Sequence, residues 1–163
     1  MPRATAGLDP LFDRLRSAAS DDEAESIQAA ILHIWANSGR PEVDALMVDG
    51  LDRLRDGDAK AALADFDQAV RLAPRFAEGW NLRGTARFLL DDYSGAVIDL
   101  ERTLALEPRH FGALAGLGRV FLALGRDKAA LQAFRAALAI NPHLDGVRSA
   151  VEVLEPKVEG MPI

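Results

Sequence analysis

The 163-residue chain contains no cysteine, which excludes disulfides and thiol chemistry and suits either the cytosol or a bacterial periplasm. It has no run of 18 apolar residues, so no membrane insertion is expected. Positive charge is in deficit: 19 Lys and Arg stand against 25 Asp and Glu, a net charge of −6. Such a chain repels phosphate backbones, and nucleic acid is not expected as a partner. Aromatics make up only 6%, while alanine is abundant and lets helices approach closely. The three histidines, His33, His110 and His143, lack a second His or Cys at ligand spacing, so no metal is expected and each is read as solvated or locally bonded. There is no Gly-rich phosphate loop and no serine in a nucleophile elbow. The carboxylate pairs Asp21-Asp22 and Asp91-Asp92 fall at helix starts, where they complement the helix dipole. With no catalytic constellation and no cofactor site, an enzyme is not expected.

What the chain does have is a period. Pro74, Pro108 and Pro142 recur every 34 residues. Gly50, Gly84 and Gly118 keep the same step, as do Leu46, Trp80 and Leu114, and Ala62, Ala96 and Ala130. A mid-helix glycine costs about 1 kcal/mol relative to alanine. Its threefold recurrence is expected where a second helix crosses the first, with the alanine column on the other side of the crossing. These columns resemble the tetratricopeptide repeat, whose period is 34 and whose pattern places Trp, Gly, Ala and Pro there. The resemblance implies an all-α, right-handed superhelical solenoid of helical hairpins with capping helices.

The expected organisation has three repeats within 43–142, at 43–76, 77–110 and 111–142. Turns fall at Asp56-Gly57-Asp58, Asp91-Asp92 and Gly125-Arg126. Asp91 stands where the others have glycine, so that helix end is expected to be strained or different. Residues 1–8 read as a disordered lead. MPRATAG holds no complete signal peptide, although Ala4-Thr5-Ala6 matches the small-x-small pattern before a cleavage site. The cytoplasm is therefore expected, or the periplasm if an upstream signal is missing from this chain.

Asp9 and Pro10 read as N-cap and first position of a helix, and Ser20 with Glu23 as a capping box. Ile27, Ile31 and Ile34 share helical spacing, with Trp35 beside them. Residues 9–38 thus form a helical hairpin. Phe12 lies 34 before Leu46, which suggests a degenerate repeat shielding the open end, though Arg16 fills its glycine column. The hairpin also offers a homodimer contact through Ile27, Ile31 and Trp35. Leu144, Val147, Val151 and Leu154 mark a capping helix at 144–155 that Pro156 stops, followed by a mobile tail at 156–163.

The resemblance further implies a working surface. In this family the concave groove is lined by positions 2, 5, 9 and 12 of each repeat. The matching residues are Asp44, Met47, Leu51 and Leu54; Glu78, Asn81, Thr85 and Phe88; and Gly112, Ala115, Arg119 and Leu122. Leu51, Leu54, Phe88 and Leu122 would form an apolar strip with Asn81 and Arg119 as polar handles for a peptide segment. The alternative is that some of these belong to the core or are covered by the terminal elements. The resemblance also implies an ion pair from Arg83 to Asp65, Asp99 or both. It argues against a clamp for C-terminal carboxylates, because Met47, Leu51, Leu82, Gly112 and Gly116 stand where that clamp has Lys, Asn and Arg. The function expected is a protein-interaction scaffold or adaptor. A secretion-type or assembly chaperone and a structural accessory subunit are the alternatives.

Overall fold

The computed structural model describes residues 7–160, and among them there are nine helices and no strand. They are α1 (Leu8–Arg16), α2 (Asp21–Ala36), α3 (Pro41–Arg55), α4 (Ala59–Leu72), α5 (Ala77–Leu89), α6 (Tyr93–Leu106), α7 (Phe111–Ala123), α8 (Asp127–Ile140) and α9 (Asp145–Glu159). The pairs α3–α4, α5–α6 and α7–α8 are the three repeats, stacked in sequence as a solenoid, with α9 packed on α8. The expected lead and tail fall partly outside the described residues, at 1–6, which include Ala4-Thr5-Ala6, and at 161–163.

Local chemistry sets the helix ends. Asp58 and Asp92 cap α4 and α6 by accepting from the backbone N–H groups of Ala61 and Gly95, each at 3.1 Å. Ser20 caps α2 through Glu23 N–H at 3.2 Å, while the Glu23 carboxylate accepts from Ala19 N–H. Turns within the repeats use left-handed backbone at Gly57, Asp91 and Gly125. Two cores join consecutive repeats. Val43, Met47, Ala62, Phe66 and Ala69 pack with Ala86 of the next unit, and Ala96 and Leu100 pack with Ala113, Leu117, Val120 and Ala133. The last repeat buries Phe134 and Ala137 against Val147, Val151 and Leu154 of α9.

The glycine columns mark helix crossings, but the residue met there is four positions past the expected alanine. A Cβ on Gly50 or Gly118 would overlap the rings of Phe66 or Phe134, whereas one on Gly84 would lie 3.2 Å from Asp99 Cβ and Leu100 Cγ.

The N-terminal hairpin corrects the largest expectation. It does not stack on the first repeat as a further unit; it lies along the edge formed by the turns between repeats. Midway along α2, Gln28 accepts from Asn141 Nδ2 at 3.2 Å. Two turns later Trp35 stacks on His110, with ring centroids 4.4 Å apart. At its end, Asn37 and Ser38 reach Pro74 and Phe76 across a cavity. So α2 runs back past all three turns before α3 begins. α1 follows the same edge: Phe12 meets Phe111 edge-on at 6.4 Å, and the Leu15 carbonyl accepts from His143 Nε2 at 3.0 Å. Ile27, Ile31 and Trp35 are buried in this contact, so the face expected to offer a dimer contact is spent inside the chain. Ile34 is instead 37% exposed.

Three boundaries also differ. α1 begins at Leu8, which is buried, so Asp9 sits in its first turn and Gly7 is the N-cap. α3 begins at Pro41, two residues before the expected start of the first repeat at 43. α9 continues through Pro156 to Glu159: Leu154 and Val158 pack on the last repeat's core on either side of the proline, and Arg135 of α8 holds Glu155 at 2.7 Å and Glu159 at 2.6 Å.

Candidate functional site

The first helices of the repeats, α3, α5 and α7, carry the expected groove residues, and the structure divides these between two cavities. Thr85, Phe88 and Arg119 come together around one of about 210 Å³, walled by Leu89, Leu100, Gly116 and Val120. Glycine at 116 leaves the room: a Cβ there would lie 3.3 Å from Leu100 Cδ1. Phe88 is held from behind by Tyr93, with centroids 5.7 Å apart. Thr85 spends its hydroxyl proton on the Asn81 carbonyl, 3.0 Å away. Arg119 is exposed, and among the described residues it makes no hydrogen bond or ion pair. A cationic donor therefore stands free at the mouth of an apolar cavity.

Met47 and Leu51 line the second cavity, about 230 Å³, with Glu78 and Leu82. Its remaining wall is Leu32 and Ala36 of α2, so the hairpin borders this half of the groove. Met47 is largely core, at 5% exposed. The other expected residues are not gathered into either cavity. Leu54 packs on the first repeat's core. The Asn81 amide donates to Glu78 at 3.1 Å, so this handle is already engaged. Leu122 stays 37% exposed. Ala115 is buried with the α8–α9 core. Asp44 is taken by Ser38, whose Oγ–H donates at 2.6 Å.

The charges behind the groove are structural. Arg83 donates from Nε and Nη2 to both oxygens of Asp99, at 2.9 and 2.8 Å, and from Nη1 to Asp67 at 3.2 Å. Asp99 is fully buried and is also met by Arg87 at 3.1 Å. The expected Asp65 is not a partner of Arg83; it pairs with Arg53 instead. The hydrogen bonds to Asp99 hold the Arg83 guanidinium above its ordinary pKa, and its Cζ lies 4.9 Å from the Trp80 ring centroid.

Arg53, Arg87 and Asp67 were not singled out from sequence, and the sequence reads His110 only as solvated or locally bonded. Arg53 and Arg87 keep the 34-residue step, as Asp65 and Asp99 do, and that shared step was the available signal. His110 is 2% exposed and neither solvated nor merely local. Its Nδ1 accepts from Ala113 N–H at 3.0 Å, which leaves the proton on Nε2, 2.7 Å from Glu78. Among the described residues, no group of three or more His, Asp and Glu side chains could hold a metal ion, and no helix is long and apolar enough to cross a membrane.

Stacked helical hairpins with a side-chain-lined groove define a helical-repeat protein. The tetratricopeptide repeat model matches residues 49–102 and 90–145, and the chain belongs to that family. A TPR repeat-containing protein of Rhizobium etli is 35% identical over 153 residues, covering 94% of this chain and 75% of that protein. Tetratricopeptide repeat protein 36 of Danio rerio is 31% identical over 119 residues, 71% of this chain and 63% of that one. Among solved structures, MamA superposes with a TM-score of 0.68 at 22% identity over 91% of this chain and 85% of that one. The first TPR of Spaghetti, bound to an HSP90 peptide, superposes with a TM-score of 0.69 at 17% identity over 72% of this chain and 94% of that one. At these identities the structural likeness is one of fold.

Proposed function

We propose that the chain is an adaptor that receives a segment of a partner protein in the concave groove. The observation that carries this reading is the cavity between the second and third repeats. Phe88, Leu89 and Val120 supply an apolar receptacle, and Arg119 supplies an unengaged donor for a carboxylate or a backbone carbonyl. The Spaghetti repeat domain, solved with a peptide, lends the same fold to the same task. The missing carboxylate-clamp residues mean that any peptide is gripped by different contacts here.

The test is affinity capture with the tagged chain from its own cells, beside the Leu51→Arg/Phe88→Arg double variant. A partner retained by the wild type and lost by the folded double variant is the expected result. Identical sets from both forms would move function to the convex face or the ends.

A further inference from the structure

A larger cavity, about 630 Å³, lies outside the groove, where the end of α2 passes the turns that join the repeats. Leu32 and Ala36, four residues apart on one flank of α2, line the groove, while Ile34 on the opposite flank lines this cleft. The two sites can therefore be filled independently.

Three unspent groups meet at the cleft. Trp35 lines it at 8% exposure, and its buried indole N–H has no acceptor among the described residues. Buried donors are paired in roughly 90% of cases or more, so an orphan calls for a partner. The chain's other tryptophan shows the usual outcome: Trp80 Nε1 donates to the Pro74 carbonyl at 2.9 Å. Ile34 presents a large apolar side chain that the fold leaves 37% exposed. Arg75 is exposed and makes no hydrogen bond or ion pair among the described residues. Facing these is Glu107, a buried carboxylate, one oxygen of which accepts from Arg109 N–H at 3.3 Å.

We propose that this cleft binds an extended polypeptide segment of a partner protein. On binding, the Trp35 ring shifts to open its sealed indole N–H to the cleft and one backbone carbonyl of the segment takes it, while an apolar side chain lies against Ile34, Pro74 and Phe76 and an acidic side chain pairs with Arg75. The occupant is a polypeptide because the cleft sets a donor and an acceptor between apolar walls, and an extended backbone supplies carbonyl, N–H and apolar side chain in turn. A hydrocarbon would leave the indole unpaired, and a nucleic acid would bring phosphates beside Glu107.

The probe is a library of random decapeptides displayed between linkers on phage and panned against the whole chain, with enriched peptides resynthesised with both ends capped. The two tryptophans give two indole N–H signals in a ¹H–¹⁵N spectrum, assigned with Trp80→Phe. Enriched peptides should carry an apolar and an acidic residue, and should shift the Trp35 signal while leaving that of Trp80. Trp35→3-benzothienylalanine replaces only the indole N–H by sulfur and keeps the bicyclic ring that stacks on His110, so its melting temperature should hold while peptide affinity falls about three- to tenfold. Arg75→Gln should weaken binding as well, and Phe88→Arg should not. The proposal is overturned if no peptide is enriched, if none moves the Trp35 signal, or if binding is lost with Phe88→Arg and kept with Trp35→3-benzothienylalanine.

Discussion

At Asp91 the backbone takes φ 61°, the left-handed turn that Gly57 and Gly125 make at 81° and 70° in the neighbouring repeats. A side chain there costs roughly 1–2 kcal/mol, less for the short polar Asp, whose carboxylate also accepts from Tyr93 Oη–H at 3.1 Å. Asp91→Gly should therefore raise stability by about 0.5–1 kcal/mol in urea denaturation. The helix-crossing glycines are not equivalent. Alanine at Gly50 or Gly118 meets a phenylalanine ring and should cost about 1–3 kcal/mol. At Gly84 the looser approach to Leu100 is offset by a helix-propensity gain of about 1 kcal/mol, so the net loss should be smaller than at either neighbour. Equal losses at all three sites would contradict this account. Asp99 is shared by two arginines, so Arg83→Ala leaves it partly compensated and should cost about 1.5–3 kcal/mol. Removing Arg87 as well strands a buried carboxylate and should bring the loss to about 3–5 kcal/mol, more than the single losses combined.

Among the elements, α9 shows a local rule overridden from outside. Proline stops a helix by removing a donor, yet α9 runs past Pro156, with Leu154 and Val158 packed on the core and the Arg135 clamp holding Glu155 and Glu159. The same clamp holds the Glu159 carboxyl below its ordinary value of 4.5. A depressed carboxylate stabilises the fold above its unfolded pKa, and that contribution is lost as pH falls through the folded value. Amide protection at Lys157–Glu159 should thus drop on acidification below about 4.5, and Arg135→Ala should abolish the pH dependence. The repeats themselves were legible because prolines, glycines and alanines recur at 34 residues, and each such column records one packing event. The course of α2 was not legible. The spacing of Ile27, Ile31 and Trp35 says that one face is buried, but not that it is buried on His110, Phe111 and Ile140, about a hundred residues away. For the same reason Ile34 could not be told from Trp35 as the inward residue. Of the groove, Thr85, Phe88 and Arg119 were legible from repeat positions. The division into two cavities was not, because Leu32 and Ala36 reach the groove only through the fold.

Across the whole molecule, three repeats present a groove whose first half is bordered by a strap running back along the turn edge, and whose second half is an apolar cavity with a free arginine. The second helices of the repeats carry exposed apolar residues too, such as Ile98 of α6 at 62%, so exposure alone does not say which surface works. The most direct measurement is site-specific photo-crosslinking in living cells, with a photoreactive phenylalanine analogue placed at Phe88 in one variant and at Ile98 in another. The account predicts a discrete adduct to a partner protein from position 88 and none from position 98. An adduct from position 98 with none from position 88 would contradict it and place the working surface on the second helices of the repeats.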